Sequence, residues 1–130
     1  MKFLKLAMIA VLFAVLFAAA PAWAASLTGP QKNAVRSAEQ YLRIQGFSRS
    51  GLIQQLSSDY GDGYNVADAT VAVDSLSIDW NKQAARSAEQ YLKIQGFSCQ
   101  GLIDQLSSGA GDGYTESQAN YGAQQTSACQ

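Results

Sequence analysis

The sequence contains no histidine, and this absence limits the chemistry that the protein can perform. Histidine is the commonest general base and the commonest metal ligand in proteins. The serine pairs at 57–58 and 107–108 have no lysine nearby in sequence, although a serine nucleophile needs a positioned base. We therefore predict no catalytic residue, no metal ligand and no cofactor, and we predict that the protein is not an enzyme.

One acidic, glycine-containing segment, 59–65, has some features of a calcium loop. An EF-hand needs oxygen ligands at alternating positions and a closing glutamate. Gly61 occupies one of these positions, and Gly109 replaces Asp59 at the equivalent place 50 residues further on. We interpret the segment as a solvated turn.

Positive charge is scarce as well. Beyond the first 24 residues, seven Lys and Arg side chains stand against ten Asp and Glu, a net charge of −3. Nucleic-acid binding depends on neutralising phosphates, and proteins that do so present a basic face. Nucleic acid is therefore excluded as a partner, even though parts of the chain have a helix–turn–helix-like pattern.

The N-terminus has the pattern of an export signal. Lys2 and Lys5 precede an apolar run over 6–20, and Ala22-Trp23-Ala24 forms a small-x-small cleavage motif. We predict a signal peptide over residues 1–24 and a location in the periplasm or cell envelope. An uncleaved leader that tethers the chain to the membrane is the alternative, because the apolar run is about long enough to span a bilayer. No cysteine lies near the cleavage point, which excludes lipid attachment there.

Only two cysteines are present, Cys99 and Cys129, and both lie in the exported part. An even number of cysteines in a secreted chain usually forms disulfides. We expect a bridge that ties the C-terminal end of the chain to an upstream helix. Two free thiols or an intermolecular bridge are the alternatives.

Residues 34–64 recur at 84–114 without a gap, and only seven of these 31 positions differ. A fixed period indicates one structural unit that is used twice. The apolar spacing predicts helices over 31–45 and 49–58 in the first copy, with Gly46 ending the first helix in a left-handed conformation. We also expect a third helix capped by Asn65, and Asp79 as the cap of the next unit.

The predicted fold class is therefore all-α, with two tandem three-helix, helix–turn–helix-like repeats of about 50 residues. The first repeat is assigned to 28–77, and the second to 78–130 together with the C-terminal tail. The last helix should be the weakest element, because its apolar stripe contains Ala123 and Thr126 where the first copy has Val73 and Leu76.

Several side chains that border the turns are candidates for a partner surface. Tyrosine is enriched at protein interfaces, and the turns also carry acidic groups. The candidate residues are Tyr60, Asp62, Tyr64, Asp112, Tyr114 and Tyr121.

These motifs together resemble a known family. Both copies contain Tyr-Leu, Phe-Ser, Gly-Leu-Ile and Gly-Asp-Gly-Tyr, and Asp79-Trp80-Asn81 lies between them. The pattern resembles the Ltp-like family of host cell surface-exposed lipoproteins with tandem helix–turn–helix-like repeats. The resemblance implies a three-helix fold per repeat, a position outside the cytoplasmic membrane and no catalytic residues. For some phage-encoded members it also implies superinfection exclusion, in which DNA injection is blocked through the phage tape-measure protein.

The chain departs from the family pattern in two ways. It lacks the cysteine to which a lipid is attached, and its second repeat lacks the ending found at 72–76 of the first. We predict an exported, non-enzymatic protein-binding repeat protein of the cell envelope that acts as a prophage superinfection-exclusion factor. A structural or stress-related envelope protein without a phage role is the alternative. The sequence leaves the oligomeric state open.

Overall fold

The computed structural model describes residues 26–130, so the predicted signal peptide lies outside the described residues. Six helices and no strands occur within this range: α1 (Gly29–Ile44), α2 (Arg49–Ser57), α3 (Val66–Ser75), α4 (Trp80–Ile94), α5 (Cys99–Ser107) and α6 (Glu116–Gln124). The prediction of an all-α fold with two tandem three-helix repeats is confirmed. None of the helices in this part of the chain has the length and hydropathy needed to cross a membrane.

Polar side chains define where the helices begin. Thr28 and Gln31 form a capping box at α1, which begins two residues earlier than the sequence pattern predicted. Asn65 caps α3 by accepting from the backbone of Ala67, and Asp79 caps α4 in the same way. These caps satisfy backbone donors that a helix leaves unpaired in its first turn.

The predicted left-handed end of α1 is wrong. Gln45 ends the helix in an extended conformation, and Gly46 does not have a positive φ. Among the described residues, only Gly63 and Gly113 do, and they lie in the turns between the second and third helices. Gly46 is instead explained by space, because a Cβ there would lie 2.5 Å from Ser87 Oγ on α4.

Each repeat has its own apolar core. In the first repeat the central buried side chains are Leu52, Leu56 and Val73, and in the second they are Leu102, Ile103 and Leu106. Trp80, the first residue of α4, packs against the core of the first repeat and so helps to join the two units.

Helices α4 and α6 pack closely because a glycine lies between them. A Cβ built at Gly122 would lie 2.6 to 2.8 Å from three atoms of Ala84. The equivalent positions of the first repeat are Ala34 and Ala72, which are both fully buried. The weak apolar stripe predicted for the last helix therefore reflects a closer helix pair rather than an empty space.

The tail folds back onto the second repeat. Cys129 forms a disulfide with Cys99 at the start of α5, as expected, with Cα atoms 4.8 Å apart. The first repeat has an ion pair at the corresponding place, in which Arg49 at the start of α2 donates two hydrogen bonds to Asp74 at 2.7 and 2.8 Å. The first repeat thus ties its second helix to its third by an ion pair, whereas the second repeat ties its second helix by a disulfide to the tail that follows the third.

Candidate partner-binding surface

The turns that follow α2 and α5 have the same backbone structure. We call residues 58–64 the repeat-one turn and residues 108–114 the repeat-two turn. In the repeat-one turn, the backbone amide of Tyr64 donates to the carbonyl of Leu56 at 2.8 Å, and that of Asp62 donates to Gln55 at 3.2 Å. A Cβ at Gly61 would lie 2.0 Å from the Gln55 carbonyl, so this position needs glycine.

The repeat-one turn presents acidic and aromatic side chains to solvent. Tyr60 is fully exposed, and Asp59 and Asp62 are exposed beside it. The Tyr41 hydroxyl donates to Asp62 Oδ1 at 2.7 Å, which holds the carboxylate in one position and raises the pKa of the tyrosine. Tyr64 is partly buried, and its hydroxyl lies 3.1 Å from Ser37 Oγ.

The repeat-two turn does not present its aromatic side chain. Tyr114 is only 3% exposed, and its hydroxyl shares a buried hydrogen bond of 2.7 Å with Ser87 Oγ. The prediction that Tyr114 belongs to a partner surface is therefore wrong. Burial raises the pKa of its hydroxyl strongly, so it stays neutral and serves the packing of the second repeat.

Asp112 is also withdrawn from solvent in part. Its carboxylate accepts a hydrogen bond of 2.5 Å from the Tyr91 hydroxyl. Burial raises the pKa of the Asp112 carboxyl, and the bond from Tyr91 opposes this shift only in part. Asp112 therefore differs from its exposed counterpart Asp62, although the two occupy equivalent positions.

The joint between the two repeats causes this difference in exposure between the two turns. The segment 42–50, which we call the first corner, links α1 to α2 and lies against α4 and the repeat-two turn. Ser48 Oγ donates to the carbonyl of Asp112, and Ser50 Oγ donates to that of Gly113 at 2.9 Å. The repeat-two turn is covered by the first repeat, whereas nothing in residues 26–130 covers the repeat-one turn in this way.

The remaining candidate, Tyr121, lies on α6 and is 42% exposed. The structure thus leaves Tyr60, Asp62 and Tyr121 accessible, with Tyr64 partly so. The tyrosine–aspartate bonds from α1 and α4 were not predicted, because each joins residues 21 positions apart. The 50-residue period could only have indicated that such a bond occurs twice.

The two turns also differ in sequence at their tips. Asp59 and Tyr60 of the repeat-one turn correspond to Gly109 and Ala110 in the repeat-two turn. The same backbone forms with either pair, so the acidic group and the ring at 59 and 60 are not needed for the turn. Side chains that are exposed and dispensable for folding are candidates for contact with another molecule.

No three His, Cys, Asp or Glu side chains among residues 26–130 lie close enough to hold a metal ion. The accessible groups around the repeat-one turn can make charge contacts, hydrogen bonds and aromatic contacts.

We expect Tyr114→Phe to lower the free energy of unfolding by about 1–2 kcal/mol, because it leaves the buried Ser87 hydroxyl without this partner. Urea denaturation followed by circular dichroism measures the change. Tyr64→Phe is the matched control, since its hydroxyl makes the equivalent bond in a partly exposed place and its loss should cost less. Equal losses for the two variants would contradict the difference in burial.

Together, the fold and its turns define an all-α tandem-repeat protein whose two near-identical units are joined end to end. A family model described as host cell surface-exposed lipoprotein matches residues 30–76 and 79–125, one match for each repeat. The chain belongs to this family, and the description supports an exported location in the cell envelope.

A solved structure shows the same architecture. It is the structure of Ltp, a superinfection exclusion protein from the Streptococcus thermophilus temperate phage TP-J34. It is 32% identical to this chain with a TM-score of 0.68, and the alignment covers 76% of this chain and 97% of that one. No curated protein matches the chain.

Proposed function

We propose that this protein is an exported, non-enzymatic envelope protein that excludes superinfecting phages by binding a protein of the incoming phage and blocking DNA injection. The similarity to the phage exclusion protein Ltp carries this proposal, since it extends over both repeats at 32% identity. The absence of histidine and the lack of a visible nucleophile–base pair in the sequence support a binding rather than a catalytic role.

The partner surface in this proposal centres on the repeat-one turn. Asp59, Tyr60 and Asp62 are exposed there on a backbone that three hydrogen bonds hold to the C-terminal end of α2. A tyrosine on a rigid turn contributes contact area at little conformational cost, and charged neighbours steer an oppositely charged partner. The chemistry fits a basic or amphipathic segment, and the proposed partner is the phage tape-measure protein.

The site of action in this proposal is the periplasmic or outer side of the cytoplasmic membrane. The chain lacks the cysteine for lipid attachment near its leader. Its position would therefore depend on whether the leader is removed or retained as a tether. N-terminal mass spectrometry of the exported protein distinguishes these two cases.

Expression in a sensitive host tests the proposal. We expect normal phage adsorption together with reduced entry of phage DNA, measured as intracellular phage DNA shortly after infection. Normal DNA entry for every phage in a broad panel would contradict exclusion and favour a structural or stress-related role in the envelope.

A paired substitution tests the surface. Asp59→Gly with Tyr60→Ala copies the sequence of the repeat-two turn, so the fold should be unaffected. Loss of an interface tyrosine of this kind costs about 2 kcal/mol or more, roughly 30-fold in affinity. We expect exclusion to be lost, with normal export of the variant.

The matched control is Asp104→Gln, which also removes one negative charge and copies the residue at the equivalent position of the first repeat. Asp104 lies on α5, away from the repeat-one turn in sequence. We expect this control to exclude phages as well as the unaltered protein does. If the double variant also excludes normally, the repeat-one turn is not the partner surface.

A further inference from the structure

The joint between the repeats consists of polar groups on α4 that bind the end of α1. Arg86 donates to the carbonyls of Leu42 and Arg43, the latter at 3.1 Å. Two glutamine side chains of α4 also take part. Gln90 Oε1 accepts a hydrogen bond from the backbone N–H of Gly46 at 3.1 Å, and Gln83 Oε1 accepts one from the backbone N–H of Phe47 at 3.3 Å.

This arrangement is a socket for the C-terminal end of a helix. The last carbonyls of a helix have no partner within the helix and carry partial negative charge, which a guanidinium satisfies well. We call the socket formed by Gln83, Arg86, Ser87, Gln90 and the repeat-two turn the α4 face. The first corner docks on it, and Ser48 is only 1% exposed as a result.

The first repeat carries the same socket without an occupant. Arg36, Ser37 and Gln40 on α1 stand 50 residues before Arg86, Ser87 and Gln90, and each pair is identical. We call Asn33, Arg36, Ser37, Gln40 and the repeat-one turn the α1 face. It lines an open depression of about 650 Å³. Within residues 26–130 the side chain of Arg36 makes no hydrogen bond or ion pair, whereas that of its counterpart Arg86 binds two carbonyls.

The segment of the second repeat that corresponds to the first corner is also undocked. Residues 92–100, the second corner, link α4 to α5 and repeat the sequence of the first corner except at 93, 99 and 100. Ser98 is exposed where its counterpart Ser48 is buried. A Cβ built at Gly96 would meet nothing within 4 Å, whereas one at Gly46 would clash with Ser87 Oγ and the Gln83 carbonyl.

We propose that the second corner of one molecule docks on the α1 face of a second molecule, which joins copies of the protein head to tail. Arg36 donates to the carbonyls of Leu92 and Lys93 of the other copy, and Gln40 accepts from its Gly96 amide. The contact repeats the internal joint. The second repeat of each molecule has an undocked second corner, and the first repeat has an unoccupied α1 face. Such a contact is heterologous and therefore permits chains longer than two.

The contact between copies is weaker than the internal joint for three reasons. Asn33 is one methylene shorter than Gln83, and Pro30 replaces Trp80, which packs on the neighbouring core inside the molecule. The internal joint also has a covalent link, which supplies an effective local concentration in the millimolar range. Association between molecules therefore depends on concentration. This inference stands independently of the proposed role in phage exclusion.

Sedimentation velocity of the purified protein at increasing concentration tests the proposal. We expect the weight-average sedimentation coefficient to rise with concentration up to about 1 mM. In nitrogen–proton correlation spectra, the concentration-dependent shifts should fall on the α1 face and the second corner. A constant sedimentation coefficient over this range, or shifts confined to other surfaces, would overturn the proposal.

Two substitutions each disable one side of the contact. Arg36→Ala removes the donor of the α1 face, and Gly96→Val places a side chain where the socket has no room. Both positions are open in the single molecule, so both variants should fold. Lys32→Ala and Gly109→Val are the matched controls, since they change an exposed lysine of α1 and an open glycine outside the contact.

Each variant alone should stay monomeric at concentrations where the unaltered protein and both controls associate. Mixing the two variants should restore association but stop it at dimers, because the intact corner of Arg36→Ala fits the intact face of Gly96→Val. Failure of the mixture to associate, or association of either variant alone, would refute head-to-tail docking.

Discussion

Removal of the disulfide, by Cys99→Ser with Cys129→Ser, is expected to lower the free energy of unfolding by about 3.5 kcal/mol. The bridge spans 30 residues, and the chain-entropy model assigns about this value to a loop of that length. The last helix packs closely on α4, but its buried residues are the small Ala119, Gly122 and Ala123. Small side chains bury little apolar surface, so the stability of α6 depends on the disulfide.

Urea denaturation of the double variant and the oxidised protein measures the loss, and hydrogen exchange should locate it in α6 and the tail. Arg49→Ala is the matched control, because it cuts the equivalent tie of the first repeat. Its ion pair with Asp74 is about half exposed, and exposed pairs contribute about 0–1 kcal/mol. An equal loss in the two variants, or none on removing the bridge, would contradict this account.

Gly122→Val is expected to destabilise the protein by about 1–3 kcal/mol, because it forces α6 away from α4. The added Cβ alone would lie 2.6 Å from the backbone carbon of Ala84, and backbone atoms cannot move aside as a side chain can. Overfilling a close-packed contact typically has a cost of this size. Thermal and urea unfolding measure the effect.

The control for this substitution is Gly109→Val in the repeat-two turn. Gly109 does not have a positive φ, and a Cβ there would meet nothing within 4 Å. We expect a change of no more than about 0.5 kcal/mol, the range for exposed positions without special features. If Gly122→Val is equally mild, the helices can separate at no cost and the close packing of α4 and α6 is not needed for stability.

Sequence reasoning predicted the helices well where local chemistry determines them. Asn65 and Asp79 both act as caps as expected, because a cap involves residues only two or three positions apart. The left-handed conformation expected at Gly46 is wrong because a distant contact, not the local chain, determines this residue. A glycine after a helix commonly adopts the left-handed conformation, but here a glycine is needed because α4 of the other repeat leaves no room for a side chain.

The candidate surface was predicted less well. The two turns share the sequence Gly-Asp-Gly-Tyr, and local patterns could not distinguish Tyr64 from Tyr114 or Asp62 from Asp112. The docking of the first corner makes the difference, since it covers the second turn and leaves the first open. Contacts between residues 36 to 64 positions apart carry that information.

The amino-acid sequence alone determined the repeat, the helical class, the caps and the family, because these depend on periodicity and on neighbouring residues. It also indicated the disulfide, since two cysteines in a chain with the pattern of an export signal usually pair. The tertiary structure decided which of two near-identical units exposes its turn and which buries it. Identical sequences acquire different surroundings when one unit is stacked on the other, and burial is a property of those surroundings.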